Sequence, residues 1–118
     1  RHFVNAETIA KMKDGVTIIN CARGELMNIP DMIRGIETQK IGALALDVFD
    51  KEDGIYHENR RDDILSNRDM AYLRQFPNVI MTQHMAFYTD AAVQSMVFCG
   101  IEGLCDFAKT GHTATELV

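Results

Sequence analysis

The sequence predicts an α/β fold built on a parallel sheet. Three observations carry this. Short apolar runs rich in β-branched residues alternate with helical patterns, in the order helix, strand, helix, strand, helix, strand, helix. Each segment between strands is long enough to cross back over the sheet, which sets successive strands parallel with right-handed connections. The punctuation agrees: Asn5, Asn28 and Thr89 stand where helices begin, and Gly15, Pro77 and Gly111 where they stop.

Taken in order, residues 6–13 form a short helix capped by Asn5. Residues 16–21, Val-Thr-Ile-Ile-Asn-Cys, read as a strand buried on both faces. Arg23-Gly24 turns the chain. Asn28 caps the next helix, with Pro30 in its first turn, Asp31 three residues after the cap, and an apolar stripe of Ile29, Met32, Ile33 and Ile36. A second strand covers 41–49. Residues 50–67 are polar and read as a loop, of a length that often covers a site. A short helix over 68–76 stops at Pro77, and 78–82 is the third strand. The last helix runs from 90 to about 109. Its stripe of Val93, Met96, Val97, Gly100, Ile101, Leu104, Cys105 and Ala108 makes it the clearest amphipathic element. The tail from His112 is polar. Three strands make a thin sheet whose faces and edges call for more protein than 118 residues supply.

Composition narrows the function classes. At 118 residues, 47% hydrophobic and 25% charged, the chain is one globular domain or a piece of a larger protein. Its net charge of −5 argues against nucleic acid or an anionic membrane surface as partner. No unbroken apolar run approaches the roughly 20 residues that span a bilayer, and residues 1–5 lead into a helix rather than a secretory signal. Cys21, Cys99 and Cys105 contain no C-x-x-C pair, so buried thiols in a reducing cytoplasm are expected, with no metal centre.

Three ionisable residues fall just past strand ends: Arg23, Glu52 and His84. Ligands of open α/β sheets bind at that edge. A guanidinium presents a planar fork that holds a carboxylate by two hydrogen bonds. Imidazole moves protons near neutral pH, and a carboxylate beside it orients the ring and favours its charged form. Each residue also has a plainer reading: a surface arginine in a turn, a solvated loop charge, a capping histidine. Asp47 closes an otherwise apolar strand, and its burial needs a hydrogen-bonding reason, either a polar ligand edge or a helix N-terminus. The chain has no G-x-G-x-x-G and no Walker A loop, so it cannot cradle a pyrophosphate in the usual way.

Around these residues the sequence resembles the D-isomer-specific 2-hydroxyacid dehydrogenases, most of all the D-lactate and D-2-hydroxyisocaproate dehydrogenase branch. The resemblance rests on four blocks in order: Met12-Lys13-Asp14-Gly15-Val16 through Ala22-Arg23-Gly24; Ala45-Leu46-Asp47-Val48-Phe49-Asp50-Lys51-Glu52; Phe76-Pro77-Asn78-Val79-Ile80; and His84-Met85-Ala86-Phe87-Tyr88-Thr89. It implies the second half of a Rossmann-like NAD-binding domain over residues 1–88, and a return helix and tail toward a catalytic domain over 89–118. It implies further that Arg23 holds the substrate's carboxylate and carbonyl, and that His84 is the general acid for the carbonyl oxygen as NADH delivers hydride. Glu52 would keep His84 charged. Asp47 would contact the nicotinamide end of NAD, with Cys21, Ala22, Arg23 and His84 lining that pocket, and Phe87 would border the substrate side chain. The full-length protein is then expected to be a cytoplasmic homodimer acting on a small 2-oxo or 2-hydroxy acid.

Two departures stand out. Gln83 occupies the place of a proline that usually precedes the histidine. The phosphate-binding glycines are absent, so the chain is expected to be a C-terminal fragment, inactive by itself. Two other readings remain open at this point: an NAD(H)-sensing, co-repressor-type binding protein of the same superfamily, and a non-catalytic half-domain that self-associates through its last helix.

Overall fold

The computed structural model describes residues 1–51, 55, 56, 59 and 67–116. The chain divides into two units, Arg1–Met85 and Ala86–Val118.

The first unit is the expected parallel sheet. Strands β1 (Val16–Asn20), β2 (Ile41–Leu46) and β3 (Val79–Met81) lie in the order β1-β2-β3, each parallel to its neighbour. Ile18, Leu44 and Val79 share one row across the sheet, and Asn20, Leu46 and Met81 share the row two residues on. Side chains alternate along a strand, so both rows face the same side. On that side they join a core with Ile9 of helix α1 (Ala6–Ala10), Met32 and Ile36 of α2 (Ile29–Glu37), and Met70 and Leu73 of α3 (Arg68–Leu73). Met32, Ile41 and Leu73 are wholly buried there.

The opposite face is open, contrary to the expectation of strands buried on both sides. Ile19 is 68% exposed and Ile80 66%. Apolar side chains on both faces mark a sheet that needs two covering layers, and the described residues of this unit cover one.

Cap chemistry sets the helix limits. Asn5 accepts from the backbone of Glu7 and Thr8, and the Thr8 hydroxyl accepts from Asn5 N at 2.9 Å, a reciprocal capping box. Helix α1 stops at Ala10, short of the expected Lys13. The Lys11 and Met12 N–H groups bond three residues back, tightening the turn, and Gly15 then takes φ +72°. The Lys40 ammonium closes this corner, donating to Met12 O and to the Asp14 carboxylate, both at 2.6 Å. That hydrogen bond holds the Asp14 carboxyl below its ordinary acidity range. Asn28 caps α2 through Asp31 N at 3.1 Å. The Asp31 carboxylate reaches across to Ala6 N at 2.9 Å, tying the start of α2 to the start of α1.

Strand β2 ends at Leu46 rather than at Phe49. Asp47, Val48 and Phe49 are buried all the same, at 4%, 1% and 3% exposure. An apolar run reports burial, and a buried loop satisfies it as well as a strand does.

The second unit is α4 (Asp90–Thr110), capped by Thr89 and ended by Gly111 at φ +77°. None of its residues is buried. Phe98 and Phe107, exposed at 63% and 56%, widen the apolar stripe, and α2 carries the sharper amphipathic pattern. By length and overall composition α4 is apolar enough to cross a membrane, although polar residues interrupt every apolar run. Glu102 and Asp106 in its C-terminal half oppose burial in lipid. The three cysteines are exposed, which corrects the expectation of buried thiols. Cys21 lies beyond the end of β1, and Cys99 and Cys105 lie on α4.

Candidate active site

The carboxyl ends of the three strands are level. Asn20 pairs with Leu46, and Leu46 with Met81, so the segments that follow leave the sheet side by side. Neighbouring strands stand about 4.8 Å apart, so the first and third exits are separated by roughly 10 Å.

The first exit is shaped by Asn20, which is 5% exposed. Its side-chain oxygen accepts from Ala22 N at 3.0 Å, and its amide nitrogen donates to Arg23 O at 2.9 Å. This Asx turn folds Cys21, Ala22 and Arg23 over the strand end. Arg23 is extended and exposed, and its Nη1 donates to Ala22 O at 2.8 Å. Among the described residues its other guanidinium N–H groups meet no protein acceptor, which leaves donors for a ligand.

Gly24 follows, and its lack of a side chain has a steric reason. A Cβ there would sit 2.1 Å from Phe49 C, 2.3 Å from Phe49 O and 2.4 Å from Asp50 N. All three are backbone atoms, so Gly24 presses the Arg23 turn directly against the segment that leaves β2.

On that second exit, Asp47 N donates to Asn20 O at 2.9 Å, joining it to the first. Asp50 meets Arg1 at 3.5 Å and His2 at 3.9 Å. Glu52 lies outside the described residues.

The third exit wraps around Asp47. Thr82 N donates to Leu46 O at 2.9 Å and His84 N to Asp47 O at 2.7 Å. The Asp47 carboxylate accepts from Thr82 Oγ1 at 2.5 Å and Met85 N at 2.9 Å. Burial of Asp47 therefore has its hydrogen-bonding reason in the turn that carries the histidine. His84 is half-buried, at φ +54°.

Arg23, Asp47 and His84 thus stand on adjacent strand exits of one unit, with Cys21 and Ala22 exposed beside Arg23. Phe87 belongs to the second unit, where it is 46% exposed and packs edge-on against Tyr88 at 6.1 Å. Among the described residues no group of three His, Cys, Asp or Glu side chains can hold a metal ion.

Asn20 is the functional residue that reading the sequence missed. An amide closing an apolar strand was the available signal, since the backbone groups of the next turn must find partners. Replacing it with alanine leaves the Arg23 turn without its side-chain bonds. We expect Asn20→Ala to cost about 1–3 kcal/mol of stability, the usual penalty for unpairing buried polar groups. Denaturant unfolding measures this, and an unchanged midpoint would remove Asn20 from the account.

Residues 1–86 match the family described as D-isomer specific 2-hydroxyacid dehydrogenase, NAD binding domain. The chain belongs to this family. Over 117 residues it is 44% identical to an aromatic 2-oxoacid reductase of Clostridium sporogenes, covering 99% of this chain and 35% of that protein. Among solved structures, a D-lactate dehydrogenase from Sporolactobacillus superposes with a TM-score of 0.93 at 29% identity, covering 98% of this chain and 35% of that one. A D-lactate dehydrogenase with NAD+ from Lactobacillus jensenii gives 0.86 at 28% identity, over 99% and 35%. The chain therefore spans about a third of the length of the relatives it matches.

As a D-2-hydroxyacid dehydrogenase domain, the chain is expected to meet NAD, and the strand exits fit one end of that cofactor. Cys21 and Ala22 are short and exposed at the first exit, the Arg23 guanidinium keeps donors there, and Asp47 places a buried carboxylate at the second. That donor and acceptor set suits a nicotinamide ring with its carboxamide. These 118 residues contain no glycine-rich loop of the kind that cradles a pyrophosphate.

Proposed function

We propose that the protein carrying this chain reduces a 2-oxo acid to a D-2-hydroxy acid with NADH, and that this chain supplies the groups that act on the substrate. The observation that carries the reading is the level alignment of the Arg23 and His84 exits within the family's own domain. NADH, when bound, supplies the hydride. Arg23 holds the substrate carboxylate with its planar fork, which fixes the adjacent carbonyl. His84 donates a proton to the carbonyl oxygen as negative charge grows there, and takes it back in the reverse direction. Glu52 orients His84 and favours its charged form. Asp47 accepts from the nicotinamide amide, beside Cys21 and Ala22, and Phe87 borders the substrate side chain. The full-length protein works as a cytoplasmic homodimer.

The name of the 44%-identical relative supports aromatic 2-oxo acids as substrates, and those of the D-lactate dehydrogenases support pyruvate. The experiment is NADH oxidation by the full-length protein with pyruvate, phenylpyruvate and branched 2-oxo acids, followed by chiral chromatography of the product. The expected product is the D enantiomer. No oxidation with any 2-oxo acid, or an L product, would refute the proposal. In the same assay the isolated 118-residue chain should give no turnover, because it lacks the glycine-rich loop that usually cradles the cofactor's pyrophosphate.

A further inference from the structure

We propose that Thr82 is a positioning residue for His84, acting by clamping the Asp47 carboxylate into the turn that carries the imidazole. The inference rests on the reading of His84 as the general acid and deepens it.

Three donors of this turn converge on Asp47. Thr82 Oγ1 and Met85 N share its Oδ1, and His84 N takes its backbone oxygen. The turn needs holding. His84 lies at φ +54°, in the left-handed region that strains a residue with a side chain. Gln83 before it has a free φ and lends no rigidity of its own, unlike a proline. No glycine relieves the strain.

Of the three donors, two are backbone N–H groups that persist in any variant. The Thr82 hydroxyl is the one that substitution can remove. Without it the Asp47 carboxylate loses the one side-chain donor that ties it to the start of this turn, and the strained turn loses that tie with it. The imidazole then moves relative to the carbonyl it must protonate. Displacement of a catalytic group by about 1 Å costs up to 10²-fold in rate. Thr82 is itself exposed and touches Asp47 rather than a reacting atom, so its effect reaches the chemistry through Asp47 and the turn that Asp47 anchors.

The test uses the full-length enzyme with NADH and a 2-oxo acid, comparing wild type, Thr82→Val, Thr82→Ser, His84→Ala and the Thr82→Val/His84→Ala double variant. Valine keeps the β-branched shape and removes the donor, and Thr82→Ala serves instead should valine lower the melting temperature. We expect Thr82→Val to lower kcat roughly 10- to 100-fold, with KM for the 2-oxo acid changed less than about threefold. Serine should restore most of the rate. In the His84→Ala background the valine change should cost nothing further, because two residues acting through one group are not additive. A kcat for Thr82→Val within about twofold of wild type, or a loss that adds fully to that of His84→Ala, overturns the inference and leaves His84 as the acid. A wild-type enzyme that turns over no 2-oxo acid overturns the functional reading, and this inference with it.

Discussion

Replacing His84 with alanine in the full-length enzyme is expected to lower kcat for 2-oxo acid reduction by about 10²–10⁴-fold, the range that a positioned general acid supplies. Hydride addition leaves negative charge on the carbonyl oxygen, which Arg23 can offset but which only a proton, supplied here by the imidazole, removes. NADH affinity should change little, since His84 N is already committed to Asp47 O and the turn survives the substitution. Stopped-flow absorbance reads the rate and fluorescence titration the affinity. A fall of less than about tenfold assigns the proton to another group.

Gly24→Ala is the second large effect, on stability rather than chemistry. The added methyl would overlap the Phe49–Asp50 backbone, with its nearest atom at 2.1 Å. Side-chain clashes relax by rotation, whereas this one requires two chain segments to part. Overpacking typically costs about 1–3 kcal/mol, and a clash with rigid backbone belongs at the upper end or above. For a protein about three times the length of this chain, 3 kcal/mol lowers the melting temperature by roughly 3–5 °C. Parting these segments also separates the Arg23 turn from the second strand exit, so kcat/KM should fall with stability. A melting temperature within about 2 °C of wild type would mean that the contact is not what holds the two exits together.

Much of this fold was legible in the chain because its elements carry their own boundaries. Asn5, Asn28, Thr89 and Gly111 act as the caps they resemble. The sheet is parallel because helical segments separate its strands. What misled was inference from apolarity. Ile19 and Ile80 signal a covered face, Cys99 and Cys105 a covered helix, and in this chain all four are exposed. Apolarity records a preference for burial, and the described residues do not meet that preference at these four positions. The same ambiguity carried β2 past Leu46, since Val48 and Phe49 are buried without being a strand.

At the site, residue types and their place after each strand pointed to Arg23, Asp47 and His84. The connections were not legible. Nothing in the spacing says that Asn20 shapes the Arg23 turn, that Gly24 is required by a backbone contact with Phe49, or that Asp47 is held by Thr82 and Met85. These are contacts between segments distant in sequence, and register across the sheet decides them. Glu52 lies outside the described residues, so its place beside His84 rests on the family resemblance.

The most direct test of the account asks whether Arg23 grips the substrate's carboxylate. The measurement is kcat/KM for pyruvate relative to acetone, and for phenylpyruvate relative to phenylacetone, in the full-length wild type and in Arg23→Met. Two charge-assisted hydrogen bonds at about 1.5–3 kcal/mol each give wild type a preference for the acid on the order of 10²–10⁴-fold. Arg23→Met should bring that ratio to within about tenfold by losing activity toward the acids while leaving the ketones slow as before. If the variant keeps the wild-type ratio, the carboxylate is held elsewhere, and the strand exits are not the substrate site.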